Sequence, residues 1–402
     1  MFTGWKRTLV LVAAALAVGL LGVGLTTAAK PNPSAPPPQV SYDIVWIDGL
    51  GDGKFTKTGG MNSYAAVVGL SKVVGGQDHA FLNYVNRSGQ RVTVDLNALN
   101  DPNHLLAGWG LSGAVDINDS FQIAGWGYYQ VDPQTRKQSA YRLSLKLATD
   151  GYPEEDENGN LTVSELLYLG TLPGSIWEAA FGINESGDVC GDWGTEGNFH
   201  HGFLWTEERG MEDIGALDGA WGIYTAAIND DRQITGYADV PKGYHAIRYT
   251  PDVGIQDLGF IGLSRGGYEQ SWGRDIDFSG AVVGKSSAGT KGKSNVFRAF
   301  RYTDATGMVD LGTLGGQNSS AQAINSFGDI VGVADKADGT EALFLLPANA
   351  NQMAEVVVKD PQGSLTIQGP SDINDLGVIC GTGSKTGVWG EWNAYLLIPS
   401  SQ

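Results

Sequence analysis

The sequence predicts an all-β chain folded as a seven-bladed β-propeller with four-stranded blades, its ring closed by an N-terminal strand. Three observations lead to this prediction. A phrase of constant inner spacing occurs seven times, further phrases follow it in most copies, and the one strand that the last copy lacks is found before the first copy. In addition, 58 of the 402 residues are Gly, and short β-branched or aromatic runs alternate with Gly, Asn and Asp, which is typical of strands joined by tight turns.

The recurring phrase consists of an apolar residue, Asn or Asp, a short turn, and an apolar run that reaches Gly seven residues after the Asn. Its seven polar residues are Asn62, Asn118, Asn184, Asn229, Asp277, Asn325 and Asn374. Neighbouring copies are 45 to 66 residues apart, so the inner spacing is fixed while the outer spacing varies. A constant hairpin with loops of variable length gives this pattern. We number the units 1 to 7 and their strands A to D.

Strand A is predicted to end at the Asn, and strand B to contain the Gly. Strand C contains a small residue between a polar and an apolar one, as in His79-Ala80-Phe81, which reads Glu341-Ala342-Leu343 in unit 6. Strand D ends in a phrase such as Asp310-Leu311-Gly312. Unit 7 stops after strand C, and residues 43–50 supply a strand of the missing type. Pairing that strand with unit 7 would remove an exposed sheet edge.

The first 29 residues are predicted to be a signal peptide. Lys6 and Arg7 precede an uncharged apolar run from Leu9 to Leu25, and Thr27-Ala28-Ala29 offers a cleavage site. The run could also serve as a short membrane anchor, but the Pro-rich linker at residues 30–41 favours cleavage. We therefore expect a secreted or periplasmic protein without stable membrane insertion, with the propeller at residues 42–398 and an insert in blade 2 at residues 145–166.

One part of the repeat resembles a known family. The sequence Gly312-Thr313-Leu314-Gly315-Gly316, followed by the stretches 320–325 and 328–332, is similar to the bacterial extracellular HAF-repeat proteins, whose name comes from the tripeptide found here at residues 79–81. The resemblance covers about residues 42–398. It implies export and a repeat fold, and it implies no catalytic residues because the motif of this family is structural.

The charge and the cysteines limit the range of partners and bonds. The net charge is −18, and removal of Lys6 and Arg7 takes it to −18 − 2 = −20. Such a surface repels phosphate backbones, so we expect no nucleic-acid partner, and we expect a monomer.

Cys190 and Cys380 occupy the same strand-B position in units 3 and 7. Nearly opposite blades are too far apart for a disulfide, so the register predicts two buried free thiols.

Most tryptophans are predicted to lie on one face of the propeller. The D-to-A and B-to-C loops emerge on the same face, and these loops and the strand ends beside them contain Trp109, Trp126, Trp177, Trp193, Trp221, Trp272, Trp389 and Trp392. Aromatic rings around a concave centre suit stacking on sugar rings. We therefore predict ligand binding by Trp109, Trp177, Trp193, Trp221 and Trp272. The alternative is that these rings fill the gaps between blades.

Catalytic motifs are few. Asp116, Asp275 and Asp372 share the position two residues before the strand-A polar residue. On the innermost strand they could bind a ligand or cation or act as acid and base, or they could cap strand ends and bond neighbouring blades. His200 is a further candidate for ligand binding or general-base catalysis. The sequence contains no His-Glu-x-x-His, paired-cysteine zinc or phosphate-loop motif.

The insert in unit 2 resembles a twelve-residue calcium loop. The predicted oxygen ligands are Glu154, Asp156, Asn158, Asn160, Thr162 and Glu165, with Gly159 at the turn position. Glu154 stands where Asp is expected, and Pro153 precludes a normal entering helix. The alternative is an acidic hairpin that turns on Asn158-Gly159.

These features favour an exported binding or scaffold module that recognises a glycan or a cell-surface partner through the aromatic face. The alternative is an extracellular polysaccharide lyase or hydrolase that uses His200 or the carboxylates of Asp116, Asp275 and Asp372, which we call the channel carboxylates. A purely structural envelope protein is a third reading, and the fold does not decide among the three.

Overall fold

The computed structural model describes residues 36–51, 55–132, 134–197, 199–359, 366–388 and 390–400. The predicted signal peptide, the linker up to residue 35, and Trp389 lie outside the described residues. Within the described ranges, no helix is long and apolar enough to cross a membrane.

The described chain is all-β, as predicted, with one short 3-10 turn at Leu96–Ala98. Units 1 to 3 each form a separate sheet of four antiparallel strands. The strands are β2 (Thr56–Met61), β3 (Val67–Lys72), β4 (Asp78–Val85) and β5 (Arg91–Asp95) in unit 1, β6 (Trp109–Ile117), β7 (Gln122–Asp132), β8 (Thr135–Leu145) and β9 (Val163–Tyr168) in unit 2, and β10 (Ser175–Ile183), β11 (Val189–Thr195), β12 (His200–Thr206) and β13 (Gly210–Asp213) in unit 3.

The remaining units join in pairs into two eight-stranded sheets, each with two four-stranded halves. Units 4 and 5 comprise β14 (Gly222–Ile228), β15 (Ile234–Val240), β16 (Gly243–Thr250), β17 (Gly254–Asp257), β18 (Glu269–Ile276), β19 (Val282–Lys291), β20 (Ser294–Thr303) and β21 (Gly307–Asp310). Units 6 and 7 comprise β22 (Gly315–Ile324), β23 (Ile330–Lys336), β24 (Glu341–Leu346), β25 (Ala354–Lys359), β26 (Thr366–Ile373), β27 (Ile379–Ser384), β28 (Asn393–Pro399) and β1 (Gln39–Ile47). Parallel contacts between β16 and β18, and between β25 and β1, link the halves.

The N-terminal strand β1 occupies the outer position of unit 7. It pairs antiparallel with β28, so that Asp43 lies opposite Ile398. On its other side it pairs parallel with β25, with Gln39 opposite Glu355. The strand begins at Gln39, inside the predicted linker, because the edge of β25 provides partners for residues that β28 does not reach.

In six of the seven units the Gly in strand B makes room for an aromatic ring from strand C, and in unit 4 Gly236 lies opposite Ile247. A Cβ atom added to Gly69 would lie 2.0 Å from the Lys57 carbonyl oxygen and 2.7 Å from the Phe81 ring. In unit 6 the residue opposite Gly332 is Phe344, not Leu343, so the buried ring comes one residue later than the sequence phrase suggested. The fully buried rings opposite these glycines are Phe81, Tyr141, Phe203, Phe300, Phe344 and Tyr395.

The Asn that follows strand A stabilises its own turn and also binds the next unit. In unit 2, Asn118 Oδ1 accepts hydrogen bonds from the backbone N–H groups of Ser120 and Gln122 at 3.1 and 2.9 Å. Its Nδ2 donates to the carbonyl oxygen of Asn184 in unit 3 at 3.0 Å. Equivalent donations run from Asn62 to Asn118, Asn184 to Asn229, Asn229 to Asp277, Asn325 to Asn374, and Asn374 back to Asn62. We call this series the asparagine ring.

The asparagine ring has one gap, between units 5 and 6. Asp277 retains the turn function, since its Oδ1 accepts from Ser279 N and Ala281 N at 2.8 and 3.0 Å. A carboxylate has no N–H to donate, so the backbone carbonyl oxygen of Asn325 receives no hydrogen bond from the side chain of residue 277.

The turn requires a left-handed residue three positions after the Asn. This residue is Gly187, Gly280, Gly328 or Gly377 in four units, with φ from 72° to 86°. Ala65, Phe121 and Arg232 hold φ values of 54° to 60° in the other three. A side chain disfavours this conformation. We infer that the contacts of the asparagine ring with the neighbouring turns hold these three residues in it.

The two cysteines are free and fully buried, as predicted from the repeat register. Cys190 lies in β11 of unit 3 and Cys380 in β27 of unit 7. Burial raises the pKa of both thiols well above the usual value, so neither is a ready nucleophile.

We expect Asp277→Asn to stabilise the protein, because it supplies the missing donor of the asparagine ring. The free energy of unfolding, measured with urea, should rise by about 1 kcal/mol, the typical net contribution of one hydrogen bond. The matched control, Asn229→Asp, removes such a donor and should lower it. Because Asp277 also pairs with Arg301 at 3.8 Å, the comparison is repeated in an Arg301→Gln background, where an Asp277→Asn protein no more stable than its parent would contradict this account of the gap.

We expect Gly377→Ala to destabilise the protein through backbone strain alone. The nearest atom to an added Cβ is Pro399 Cγ at 3.6 Å, so there is space, but φ is +72°. The loss should be about 1–2 kcal/mol in urea unfolding. The reciprocal change, Ala65→Gly, should not show this loss, and equal losses in both variants would argue against strain as the cause.

Candidate functional site

The aromatic residues meet at one end of the strands. Trp177 lies near the start of β10, Trp193 near the end of β11, and His200 at the start of β12. Strands A and C therefore begin, and strand B ends, at this end, which carries the D-to-A and B-to-C loops. The Asn turns lie at the opposite end. We call the first end the aromatic face.

A continuous series of ring contacts crosses units 3, 4 and 5 on this face. We call it the aromatic belt, and its members are Trp177, His200, Tyr224, Tyr237, Tyr244, Trp272 and Phe297. Neighbouring centroids are 4.5 to 6.0 Å apart, and the Tyr224 and Tyr237 rings are nearly parallel at 4.7 Å. Every member is partly exposed. The belt therefore fills the seams between units and also presents ring surface outward.

Cationic groups lie at the unit 5 end of the belt. The Lys285 ammonium group is 4.6 Å from the centre of the Trp272 ring and 5.6 Å from that of Phe297. Burial, and to a smaller extent the nearby Arg274, lowers the pKa of Lys285. This cation over two rings gives the belt a polar end in a protein that is otherwise strongly acidic.

The five predicted ligand-binding tryptophans differ in exposure. Trp221 is 60% exposed, whereas Trp193 is only 6% exposed and stacks on His201 at 4.4 Å. Trp193 therefore packs in the core and offers no open ring face. Trp177 and Trp272 belong to the belt. Trp109 lies in a separate cluster in unit 2, 5.2 Å from Tyr129 and 6.4 Å from Tyr168.

His200 is held in the belt between Trp177 and Tyr224, at centroid distances of 5.0 and 4.5 Å. Burial and the neighbouring His201 lower the pKa of its imidazole, which favours the neutral ring. Its Nδ1 is buried without a hydrogen-bond partner in the described structure. No carboxylate of the described residues orients this ring, so the arrangement expected of a general base is not formed there.

The three channel carboxylates bond neighbouring units to each other. Asp116 accepts from its own next residue, Ile117, at 2.8 Å and from Ile183 N of unit 3 at 3.0 Å. Asp275 accepts in the same way from Ile324 N of unit 6, and Asp372 from Met61 N of unit 1, both at 2.8 Å. This is the alternative role that the sequence left open.

These carboxyl groups line a cavity of about 450 Å³ between the strands A. Burial, and then repulsion from Asp372 and Asp275, raises the pKa of Asp116 to about 8. Burial and repulsion from Asp372 raise the pKa of Asp275 to about 7, and burial raises that of Asp372 to about 6. In the described residues, no three His, Cys, Asp or Glu side chains are placed to hold a metal ion.

Sequence reasoning missed Asp192, Lys285 and Phe297. The buried Asp192 carboxylate accepts from the N–H and the hydroxyl of Thr225 in unit 4, at 2.8 and 2.9 Å, and burial raises its pKa to about 7. A signal was present in the position after the strand-B Gly, whose residue type changes from unit to unit. Its occupants are Leu70, Trp126, Asp192, Tyr237, Lys285, Val333 and Thr382. A repeat position that varies this much lies outside the scaffold pattern.

The insert in unit 2 forms an acidic hairpin between β8 and β9, at residues 146–162. Two of the predicted calcium ligands pair with cations: Glu154 with Lys146 at 2.8 Å and Glu165 with Arg142 at 3.0 Å. Asp156 caps the turn by accepting from the backbone N–H groups of residues 158 and 160, and the Thr162 hydroxyl binds Asn100. These contacts are those of the alternative, a turn on Asn158-Gly159.

No protein-family model and no curated protein sequence matches this chain. Solved structures similar in fold include puromycin hydrolase, at 11% identity and TM-score 0.47, with 87% of this chain and 59% of that chain covered. Virginiamycin B lyase from Staphylococcus aureus is similar at 12% identity and a TM-score of 0.42, with 89% of this chain and 99% of that chain covered. TolB from Acinetobacter baumannii is similar at 10% identity and a TM-score of 0.34, with 74% of this chain and 68% of that chain covered. The chain thus spans 59% of the length of puromycin hydrolase.

The fold is that of a β-propeller, since four-stranded antiparallel units pack side by side with strands A along a common cavity.

The channel carboxylates should make stability fall as the pH rises. Their folded pKa values of about 6 to 8 lie above the usual 3.8, so the folded protein binds more protons between these limits. Their contribution is complete below pH 3.8 and is lost towards pH 8. Asp116→Ala, which installs the residue that units 4 and 6 carry at this position, should reduce the fall in urea-unfolding free energy between pH 6 and pH 8. A slope identical to the wild type would contradict the raised pKa of Asp116.

Proposed function

We propose that this protein is an exported binding propeller that recognises a glycan, free or on a cell-surface partner, through its aromatic face. The observation that carries the proposal is the aromatic belt, whose seven partly exposed rings run without interruption over three units. Sugar rings present apolar C–H faces that stack on aromatic side chains, and a row of rings suits a chain of sugars.

The proposal includes the complete architecture: seven blades in one ring, closed by β1 as the outer strand of the last blade. Support comes from the pairing of β1 with β28 and from the asparagine ring, which passes from Asn374 to Asn62. A closed ring holds the loops of units 3 to 5 in fixed relative positions, as a multi-ring binding surface requires. The resemblance to HAF-repeat proteins is in keeping with export and with a structural repeat.

Several observations favour binding over polysaccharide cleavage. Asp116, Asp275 and Asp372 are each engaged by two backbone N–H groups that hold units together, and His200 lacks an orienting carboxylate in the described structure. The net charge of −18 argues against nucleic acid as the ligand. Calcium has no part in the proposal, because Glu154 and Glu165, the first and last of the predicted ligands, are paired with Lys146 and Arg142.

We expect Trp221→Ala to weaken glycan binding about tenfold, roughly 1.4 kcal/mol, without loss of stability. The ring is 60% exposed, so its removal leaves the core intact. Binding should be measured against a panel of soluble polysaccharides by affinity electrophoresis at low and high salt. Stacking should persist at high salt, whereas attraction between exposed charges weakens.

Trp193→Phe is the matched control, since this ring is buried. It should lower the free energy of unfolding by about 1–3 kcal/mol and leave the binding of the folded protein unchanged. Unchanged binding of every polysaccharide by Trp221→Ala and by Trp272→Ala would refute the role of the aromatic face.

A further inference from the structure

A separate cavity opens on the aromatic face between units 1 and 2, outside the belt. Its volume is about 370 Å³, within the usual range of small-ligand sites. Unit 1 contributes Gln77, Asp78 and His79 from the B-to-C loop and the start of β4. Unit 2 contributes Trp126, Tyr128 and Arg136. We call this cavity the unit 1–2 cleft.

The unit 2 wall is built by strand register. Trp126 pairs with Ala140, Tyr128 with Gln138, and Gln130 with Arg136 across β7 and β8. Because alternate residues of a strand share a face, Trp126, Tyr128 and Arg136 all project from one face of this sheet. Tyr128 is 41% exposed, and its ring meets that of Trp126 edge-on at 6.4 Å.

Two glycines let the wall lie close to the innermost strand of unit 2. A Cβ atom on Gly113 would lie 2.7 Å from Trp126 Nε1, and one on Gly110 would lie 3.2 Å from Arg136 Nη2. The guanidinium and the indole therefore lie close to the backbone of β6. Gly110, with the neighbouring Ser112, lines the cleft on this side.

Arg136 is the cation of the cleft that lacks a counter-charge. In the described structure its guanidinium has no ion pair and no hydrogen-bonded side chain, although the protein is strongly acidic. The acid of the cleft, Asp78, is bound by Lys72 at 2.9 Å. His79 bonds Asp95 at 2.8 Å. The charges on the unit 1 side are thus matched, and the charge on the unit 2 side is not.

We propose that the unit 1–2 cleft binds one hexuronic acid residue of an anionic polysaccharide. A single carboxylate needs one local cation, whereas a phosphate backbone is bound by many, so the net charge of −18 that argues against nucleic acid does not argue against this ligand. The planar guanidinium of Arg136 matches the two oxygens of a sugar carboxylate. The exposed face of Tyr128, beside Trp126, takes the apolar face of the pyranose ring. Gln77, Asp78 and His79 face the hydroxyl groups from the opposite wall. This inference rests on the proposed function and specifies its ligand class, at a site that is distinct from the belt.

The test uses trigalacturonate and its methyl ester, which keeps the rings and hydroxyl groups but removes the charge. Binding to the mature protein is measured by titration calorimetry at low and high salt. The wild type should bind trigalacturonate at least tenfold more tightly than the ester, and this preference should shrink as salt increases. Arg136→Gln should abolish the preference, whereas Arg265→Gln, which removes a charge from an exposed loop on the same face, should leave it unchanged.

The outcomes separate this inference from the proposed function. Equal binding of trigalacturonate by Arg136→Gln and wild type, or equal binding of acid and ester, overturns the cleft as a uronate site. If neutral polysaccharides bind in a Trp221-dependent manner and trigalacturonate does not bind, the cleft is overturned as a uronate site and the proposed function stands. Uronate binding that depends on Arg136 but not on Trp272 supports the cleft, and if no polysaccharide of the panel then depends on Trp221 or Trp272, the role of the aromatic face in the proposed function is overturned.

Discussion

The hydrogen bond from each asparagine side chain to the carbonyl oxygen of the next turn is the interaction on which the remaining structure depends. One amide satisfies two needs at once: its oxygen closes the left-handed turn between strands A and B, and its nitrogen fixes the distance to the neighbouring unit. Sheets that contact only through side chains could slide past each other, and this directional bond sets their register. Ala65, Phe121 and Arg232 tolerate a disfavoured backbone conformation for the same reason.

A second layer of inter-unit bonds uses carboxylates near the cavity. Asp116, Asp275 and Asp372 each reach the backbone of the next strand A, and Asp192 does so from strand B between units 3 and 4. Burial of these carboxyl groups raises their pKa values, and repulsion from Asp372 adds to the rise at Asp116 and Asp275, so the shifts are a consequence of using buried carboxylates as connectors. Perturbed acidity, which often marks a catalytic centre, here arises from the scaffold itself.

The two ends of the units differ in how much their residues vary from unit to unit. The turn end carries the repeated Asn and Gly residues and is nearly identical in each unit, because each turn must fit its two neighbours. The aromatic face is freed from that constraint, so individual units differ there in ring size and charge. Trp126, Asp192, Tyr237 and Lys285 occupy one repeat position and serve four different purposes. Side-chain diversity on a rigid frame is how binding surfaces are commonly built.

The sequence by itself determined the repeat register, the end of each strand A, the aromatic face and the two free thiols. These depend on local requirements, namely an Asn that closes a turn and a Gly seven residues later that admits a ring. Only the tertiary structure decided that the channel aspartates join units, that Trp193 is buried while Trp221 is exposed, and that the acidic insert forms a hairpin. The burial of Trp193 and the course of the insert depend on side-chain partners such as His201 and Arg142, which no local pattern specifies. For the aspartates, the physical reason is a β-bulge in strand A of every unit, beside the position of Asp116, Asp275 and Asp372. A bulge breaks the alternation of faces, so the direction of each side chain follows from the neighbouring unit and not from its own strand.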